Sequence, residues 1–358
     1  MERNYRTWTR KGTAAAAVLI SMTLLVAASC IDDPPTHPEM NDYREYLDMV
    51  WELYDQKYVA FDMKDVDWDD IHQQYSDLAA EADSLDQLAE VIVAMVGELE
   101  DRNAYLIFGS SLMRTHWDDV EVNWDITFLY YLMETYSFQW DQPIAYKWGS
   151  CMIDRVPYFA IWNFHFFFTY QHFRDELLEH LEAPGMVVDL RMSAGTSLVP
   201  AEQLPGLFTR EYMDAFYTQY RTGPDHGDLS PLQLHDIVPK PWAYQGPVAV
   251  LVGQQTIGPG EAFASVMCRM PHVSVIGDTT GGGGNIPGYM EERYWPLWNT
   301  AEITCPFARV LKADGSSIEG AGVVPDVYVE VTAEDILAGR DPVLEYALEW
   351  IMEESVQP

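Results

Sequence analysis

Apolar side chains recur at helical spacing after residue 40. In residues 43–58 the positions that share one helix face are Tyr43, Leu47, Val50, Trp51 and Tyr54. A second amphipathic segment covers residues 66–82. A third begins at Ser84, where Gln87 three positions later completes a capping-box pattern. The pattern predicts three helices, and we assign residues 41–103 to an N-terminal helical domain.

Short apolar runs replace the helical period later in the chain. Four of them indicate buried strands, at residues 156–164, 185–192, 246–253 and 272–278. The helical pattern FRDELLEHLEA separates the first two runs, so the right-handed crossover rule predicts that these two strands pair in parallel. A sharp turn then leads from the third run into a helix predicted over residues 261–269.

Three further segments complete the predicted order. We expect a helix and a loop within residues 198–235. Residues 301–331 predict strands joined by an Asp-Gly turn. Residues 332–354 predict a closing helical region with one glycine break. Together these elements indicate one α/β domain over residues 104–358.

The N-terminal segment has the pattern of a secretion signal. Basic residues occur among the first twelve positions, and the apolar run TAAAAVLISMTLLVAAS follows them. This run is too short to favour a bilayer-spanning helix, and it ends in small residues directly before Cys30. The sequence AASC resembles a bacterial lipobox, so we predict a lipoprotein signal peptide over residues 1–29. Ordinary secretion with Cys30 unmodified is the alternative.

The lipobox pattern also predicts a location. Residues 30–40 are acidic and rich in proline, which is typical of a tether. We expect a lipoprotein of the bacterial cell envelope, either periplasmic or surface-exposed. Its contact with the membrane would be only through the lipid at Cys30.

Charge and cysteine content narrow the classes of function. The chain has 56 acidic and 21 basic residues, for a formal net charge of −35. Such a surface disfavours nucleic acid as a partner. The four cysteines form no CxxC or Cys/His pattern, which argues against a zinc site. P-loop and dinucleotide-binding fingerprints are absent from the sequence as well, so we predict neither a cofactor nor a metal.

Five short motifs then point to a family. In chain order they are LEDRNAYL, DLRMSAGTS, TIGPGE, GDTTGG and GAGVVPD. Their order and spacing resemble the tail-specific (C-terminal-processing) serine proteases, in the tricorn-core-like branch that lacks a PDZ domain. The resemblance covers residues 43–352. It implies an α/β fold with a crotonase-like ββα core and an N-terminal helical bundle.

The resemblance assigns catalytic positions, and most of them have changed. The family's nucleophilic serine corresponds to Gly258 and its histidine base to Asn103. In the other branch a lysine serves as the base, and that position is Gly283. The orienting carboxylate corresponds to Glu319, which is retained. Glycine has no attacking atom, and a neutral amide is not a general base near pH 7.

The oxyanion and substrate loop is altered too. Its positions are Ala194, Gly195 and Thr196, together with Pro259. Pro259 directly follows Gly258 in the sharp turn before the helix predicted over residues 261–269, which we call the elbow. Gly195 is kept, but its two neighbours lack the conformational freedom of glycine. The glycine-rich segment that contains Gly281, Gly282 and Gly283 is interpreted as a mobile rim of the cleft.

Other hydroxyl groups near these motifs are weaker candidates for a nucleophile. Thr256 precedes the elbow at a strand end, where a structural role is more common. Ser193 and Ser197 flank the oxyanion loop without a predicted base, and Ser265 lies within the predicted helix, about two turns after the elbow. Displacement of an attacking atom by ~1 Å can cost ~10²-fold in rate.

Three hypotheses of function follow from these residues. The main one is an inactive relative of the proteases that binds peptides or unfolded protein tails in the former substrate cleft. The second is an active serine-type peptidase with a relocated nucleophile. The third is a structural lipoprotein that assembles with another envelope protein.

Overall fold

The protein was analysed as a computed structural model, which describes residues 42–108, 111–116, 122–141, 148–165, 168–289 and 301–356. These residues belong to one compact unit. The predictions for the signal peptide, for Cys30 and for the tether over residues 30–40 lie outside the described residues. Within the described part of the chain, no helix has the length and apolar character needed to cross a bilayer.

Helices make up the N-terminal bundle and cover the sheets. They are α1 (Tyr43–Lys57), α2 (Trp68–Glu81), α3 (Leu85–Gly97), α4 (Ile126–Tyr136), α5 (Tyr170–Leu178), α6 (Leu198–Gln203), α7 (Pro259–Met267), α8 (Ala333–Ala338) and α9 (Pro342–Glu354). Short 3₁₀ turns occur at Phe61–Met63 and Leu204–Leu207. The predicted start of α3 is confirmed, because the Ser84 hydroxyl accepts a hydrogen bond from the Gln87 backbone N–H at 3.3 Å.

The strands form two larger sheets and one small sheet. They are β1 (Tyr105–Phe108), β2 (Ser111–Arg114), β3 (Gln139–Trp140), β4 (Trp148–Ile153), β5 (Val156–Ile161), β6 (Asn163–Phe164), β7 (Met186–Asp189), β8 (Ala194–Gly195), β9 (Met213–Tyr220), β10 (Gln233–Ile237), β11 (Val248–Val252), β12 (Val273–Gly277), β13 (Asn285–Tyr289), β14 (Ala301–Lys312) and β15 (Val327–Tyr328). Among the described residues the central sheet has the order β15-β12-β11-β7-β5-β4-β3.

The middle of the central sheet is parallel, as the crossover rule predicts. Strands β5, β7, β11, β12 and β15 run in one direction, β4 is antiparallel to β5, and β3 is antiparallel to β4. Both faces of this sheet are covered, so its strands are continuously apolar rather than alternating. On one face Val188 and Val250 pack with α7. On the other, Val187 and Leu251 pack with α4 and α9.

The second sheet is antiparallel and has the order β10-β9-β14-β1-β2, with β13 paired to β14. Strand β2 is its last strand in the described residues. The helical bundle lies beside this sheet, and the Tyr54 hydroxyl of α1 donates to the Thr304 carbonyl of β14 at 2.6 Å. The third sheet pairs β6 with β8 in parallel and carries the loop after β7.

Two predictions of elements require correction. Residues 198–235 contain strand β9 and the start of β10, in addition to the predicted helix. The Asp-Gly turn at residues 314–315 exists, but a long second strand does not follow it. Gly320 and Gly322 have φ values of 72° and 66°, which interrupt an extended strand, and Val327–Tyr328 joins the central sheet instead.

A single run of strand over residues 156–164 was also expected. The structure divides it into β5 and β6, which belong to different sheets. The division matters for the site because it brings Asn163 and Phe164 beside the loop that contains Gly195.

Candidate functional site

The turn between β11 and α7 holds the backbone in a conformation that suits glycine. Gly258 is the N-cap of α7 with φ 59° and ψ −120°, and Pro259 is the first helical residue. An L-residue is strained in this region of conformational space. Space is not the obstacle, because a Cβ at Gly258 would meet no atom closer than the Gly195 oxygen at 3.7 Å. The elbow is therefore intact and carries no side chain.

Asn103 faces this elbow from the end of the helical bundle. Its Nδ2 lies 3.9 Å from the position that a Cβ of residue 258 would occupy. The same nitrogen donates to the carbonyl oxygens of Gly283 at 2.6 Å and Asn285 at 2.7 Å. The positions that the resemblance assigns to the nucleophile and to the base are thus adjacent. The amide at position 103 now ties the glycine-rich segment to the bundle.

The buried side chain of Glu261 forms hydrogen bonds to the backbone at the elbow. Its carboxylate is fully buried and accepts hydrogen bonds from Thr280 Oγ1 at 2.6 Å and from the backbone N–H groups of Gly282 and Gly258 at 2.7 and 3.0 Å. Burial raises the pKa of this carboxyl to about 7, although the hydrogen bonds oppose the shift. The group therefore links the start of α7 to the glycine-rich segment.

Glu319 lies in a buried cluster of charged groups. Its Oε1 accepts from Lys64 Nζ at 2.9 Å, while Oε2 has no partner among the described residues. Burial, followed by the nearby Asp101, raises the pKa of the Glu319 carboxyl to about 8, and Lys64 opposes this. The retained carboxylate is thus bonded to a lysine of the helical bundle and makes no hydrogen bond to Asn103.

Asp101 connects the cluster to the former base position. Its carboxylate accepts from the Tyr58 hydroxyl at 2.9 Å, from Asn285 Nδ2 at 2.7 Å and from the Asn103 backbone N–H at 2.8 Å. Sequence reasoning missed Tyr58 and Lys64, because neither stands in a recognisable motif. Both come from the segment between α1 and α2, which meets the site only in three dimensions.

The loop that the resemblance assigns to oxyanion binding is held close to β6 at Gly195. Gly195 has φ 143°, and a Cβ there would lie 2.2 Å from the Phe164 oxygen, so only glycine fits. In serine hydrolases of the elbow type, one oxyanion donor is the N–H of the residue after the nucleophile. That residue is Pro259, which has no N–H. Position 259 therefore offers no backbone N–H to a group bound at the elbow.

Gly281, Gly282 and Gly283 are held against the elbow, in contrast to the mobile rim expected from sequence. The Gly281 N–H donates to the Thr256 oxygen at 2.9 Å, and the Gly283 oxygen accepts from the Gly258 N–H at 2.9 Å. Gly281 and Gly283 pack against Ile257, Gly283 also packs against Asn103, and Gly282 packs against the Gly320 backbone. Their missing side chains make room for this close approach.

A pocket of ≈ 220 Å³ opens in front of Asn103. Its wall is formed by the end of the bundle, the edge strand β2, the β6 segment and the oxyanion loop. The lining residues are Arg102, Asn103, Tyr105, Leu112, Arg114, Asn163, His165, Ala194, Gly195, Thr196 and Ile257. The former cleft is therefore open, and polar groups and two arginines line it.

The other hydroxyl candidates are not placed for attack. Thr256 is fully buried and its hydroxyl donates to the Leu190 oxygen at 2.7 Å. The Ser265 hydroxyl donates to the Ala262 oxygen at 2.8 Å within α7. Ser193 and Ser197 are buried and do not line the pocket. Of the predicted hydroxyl-bearing loop residues, Thr196 reaches the pocket.

The described residues contain no cluster of His, Cys, Asp and Glu suited to a metal ion. His172 and His180 are close to different acidic residues, Asp141 at 3.3 Å and Glu176 at 3.8 Å. His165 instead belongs to the pocket wall. The three histidines are thus distributed among separate surroundings.

Comparisons with known proteins agree with this geometry. Residues 155–329 match the family model of peptidase family S41, and residues 40–97 match the model of the tricorn protease C1 domain. The tricorn protease of Thermoplasma acidophilum is 26% identical over 174 residues, which are 48% of this chain and 14% of that protein. The carboxy-terminal processing protease CtpA of Bacillus subtilis is 27% identical over 154 residues, which are 43% of this chain and 30% of that protein.

The structural comparison covers more of the chain. A proposed peptidase from Parabacteroides merdae superposes with a TM-score of 0.73 and 25% identity, over 87% of this chain and 98% of that one. The match to the tricorn C1 domain lies in the N-terminal helical region, and the match to peptidase family S41 lies in the α/β region that follows it. This is the order that the sequence predicts. The chain belongs to the tail-specific serine protease family, peptidase family S41, and has its mixed α/β fold with an N-terminal helical region.

Proposed function

We propose that this protein binds peptide segments or unfolded protein tails in the former substrate cleft without cleaving them. One observation carries the proposal: Gly258 and Asn103 stand opposite each other at the nucleophile and base positions, beside an open pocket. The pocket and the surrounding loops retain their form, while both reactive groups are gone. Loss of a triad member alone costs on the order of 10⁴-fold or more in rate.

The mode of binding follows from strand β2, which is the last strand of the antiparallel sheet among the residues that the structure describes. Leu112 and Arg114 of β2 alternate with Ser111 and Met113, and the first two line the pocket. A peptide in an extended conformation can add to such an edge through main-chain hydrogen bonds, which need no catalytic residue. The peptide would then run between β2 and the loop at Ala194.

The cellular setting is part of the proposal. The lipobox-like sequence before Cys30 supports a lipoprotein held at the cell envelope by its lipid. A tether of about ten residues would place the binding cleft near the membrane surface. Peptides or tails of other envelope proteins would then be the ligands.

Binding and cleavage can be measured in one experiment. The purified protein is titrated with a library of unstructured peptides by fluorescence anisotropy, and each mixture is then examined by mass spectrometry. We expect saturable binding without cleavage. Ala194→Trp should fill the pocket and abolish binding, whereas Ala80→Trp on the exposed face of α2 should leave it unchanged.

Two results would contradict the proposal. Cleavage that Thr196→Ala abolishes would identify an active peptidase with a relocated nucleophile. Absence of binding across the library, together with recovery of a stable protein partner that Ala194→Trp does not disturb, would favour a structural role.

A further inference from the structure

We propose that the groove between α2 and α3 of the N-terminal bundle docks a basic amphipathic helix of a partner protein. The groove has a volume of ≈ 480 Å³, and its walls belong to these two helices and to the turn that joins them. Among the described residues it shares no lining residue with the pocket at Asn103. It is therefore a second surface, separate from the former cleft.

The floor of the groove is apolar, and its residues follow helical spacing. Leu78 and Ala82 stand one turn apart at the end of α2, and Val91 and Ala94 line the groove from α3. Leu78 is 45% exposed, and Ala94 is exposed as well. The core is made by other faces of the same helices, so this apolar strip remains uncovered. Side chains of a third helix pack between two helices as ridges into grooves.

Hydrogen bonds hold the shape of the groove. The Tyr75 hydroxyl of α2 donates to Glu98 Oε1 at 2.6 Å, which joins α2 to the residue that follows α3. At the turn between the helices, the Asp83 N–H donates to Gln87 Oε1 at 3.0 Å, and the Gln87 N–H donates to Ser84 Oγ at 3.3 Å. The groove is therefore preformed, and a preformed surface loses little conformational entropy when a partner binds.

The rim of the groove is acidic, which determines the charge of the partner. Glu81 and Glu90 line it from the two helices, and both are exposed. Residues 66–100 contain no Lys or Arg, whereas Asp and Glu recur throughout them. Arg44 of α1 pairs with Asp77 at 3.4 Å and offsets one of these charges. Charges act over about 8 Å at physiological ionic strength, so the other carboxylates give the groove a negative potential that attracts cationic groups.

A helix is the form of partner that suits this surface. An extended peptide gains affinity by pairing with a strand edge, whereas the main-chain groups of α2 and α3 are bonded within the helices. A partner helix satisfies its own main-chain hydrogen bonds and presents apolar residues one turn apart. Its apolar stripe would cover Leu78 and Val91, and flanking Lys or Arg would face Glu81 and Glu90.

The test uses four synthetic peptides of about 20 residues, blocked at both ends. The first has a stripe of Leu at helical spacing bordered by Lys, and the second has the same stripe bordered by Glu. The third rearranges the residues of the first so that no apolar stripe forms. The fourth adds a central proline, which breaks the helix. Affinities for the purified protein and its variants are measured by fluorescence anisotropy.

We expect the first peptide to bind about tenfold tighter than each of the other three. Ala94→Trp fills the groove and should weaken this binding about tenfold. Ala80→Trp is the matched control, because Ala80 is exposed on α2 and does not line the groove. It should leave the affinity unchanged.

A second pair of variants tests the acidic rim. Glu81→Gln combined with Glu90→Gln should weaken binding about fivefold at low salt, since exposed ion pairs are individually weak. The native affinity should also fall as salt is added. Glu349→Gln combined with Glu353→Gln removes the same charge from the exposed face of α9 and should have little effect.

Four results would overturn the proposal. Failure of the first peptide to bind, or unchanged binding by Ala94→Trp, would remove the groove as the docking site. Equal affinity for the rearranged peptide would show diffuse attraction to the net charge. Equal affinity for the proline peptide would identify an extended tail instead of a helix.

Failure of this site and failure of the former cleft can be distinguished. Ala194→Trp fills the pocket at Asn103, so it should abolish binding in the cleft and leave helix docking intact. Circular dichroism of each variant confirms its folding. If Ala94→Trp does not fold, the two glutamate substitutions decide.

Discussion

A side chain at position 258 would find room but not a relaxed backbone. The nearest atom to a Cβ there lies at 3.7 Å, whereas φ 59° with ψ −120° costs an L-residue about 1–3 kcal/mol. A serine at this position would therefore carry backbone strain that Gly258 avoids.

Restoration of proteolysis should need three substitutions. We expect Gly258→Ser with Asn103→His to remain nearly inactive, because Pro259 cannot donate to an oxyanion. Addition of Pro259→Ala should raise the cleavage rate by about 10²–10³-fold, the usual effect of one oxyanion donor. Peptide cleavage followed by mass spectrometry measures this difference.

The matched control for the triple variant replaces serine by alanine, as Gly258→Ala with Asn103→His and Pro259→Ala. It keeps the backbone strain and lacks the hydroxyl, so it should cleave no peptide. Equal rates for the double and triple variants would show that the missing N–H is not what limits the site.

The buried Glu319 should make stability depend on pH. Its pKa of about 8 in the folded protein exceeds the value near 4.5 in an unfolded chain, so between these values the folded state binds more protons. Stability should then fall as pH rises from about 5 to 8. Glu319→Gln stays neutral, and we expect it to reduce this fall by at least ~1 kcal/mol. Urea unfolding at a series of pH values measures it.

Glu261 acts with the same sign up to about pH 7 and is present in both proteins, so the difference between the two profiles reports Glu319 together with its electrostatic coupling to Glu261. Glu90→Gln on the exposed face of α3 serves as the control and should leave the profile unchanged. If the stability of Glu319→Gln falls as steeply with pH as that of the native protein, the raised pKa of Glu319 is not the cause of the fall.

At the scale of single residues, the motifs singled out positions along the chain but not the distant residues that bond to them. Gly258 and Asn103 were found by their motifs, and they meet in space. Lys64 and Tyr58 were not found, because contacts with Glu319 and Asp101 join residues more than 40 positions apart. A motif records neighbours along the chain, whereas a buried ion pair depends on how distant elements pack.

At the scale of elements, the central sheet is joined to the C-terminal helix by a buried arginine. Arg191 follows β7 and donates to Asp189 Oδ2 at 2.7 Å and to Asp341 Oδ2 at 2.8 Å. Asp341 is also the N-cap of α9 and accepts from the Leu344 N–H at 3.2 Å. The arginine of the DLR motif therefore has a structural role away from the pocket.

Asp341→Ala should destabilise the protein by about 3–5 kcal/mol, since it leaves part of a buried guanidinium uncompensated. Asp77→Ala is the matched control. It breaks the exposed pair with Arg44, whose N–O distance is 3.4 Å, and should cost less than ~1 kcal/mol. Urea unfolding of both variants gives the comparison. A similar small loss in each would show that Asp189 alone suffices for Arg191.

The hydrophobic pattern predicted the elements that are apolar on both faces. It failed for strands in which buried and exposed residues follow no regular alternation. Strands β7, β11 and β12 and the helix between the last two were located from their runs of apolar residues. Strands β9 and β10 were missed, because their burial alternates irregularly and their pairing contains a bulge at His235. An irregular register hides the twofold period on which such a prediction depends.

At the scale of the whole molecule, family membership came from the order of five motifs rather than from composition. A net charge of −35 disfavours nucleic acid as a partner but does not identify the partner that the protein binds. The pairing of Asn103 with the glycine-rich segment, and of the bundle with β14, shows that the predicted helical and α/β domains share one site. Neither domain alone contains all the residues of that site.

The remaining prediction concerns how the whole protein is held in the cell. If Cys30 carries the lipid, Cys30→Ser should shift the protein from the membrane fraction to the soluble fraction, because no other lipid signal stands in the leader. A single acyl chain binds membranes only marginally, so several chains on one cysteine are needed for stable anchoring. Metabolic labelling with a palmitate analogue, followed by detergent phase separation, measures both steps. Labelling of the native protein with none in Cys30→Ser is expected. A Cys30→Ser protein that remains in the detergent phase would show that the apolar run itself is the anchor, and the cleft would then be tethered by a retained helix.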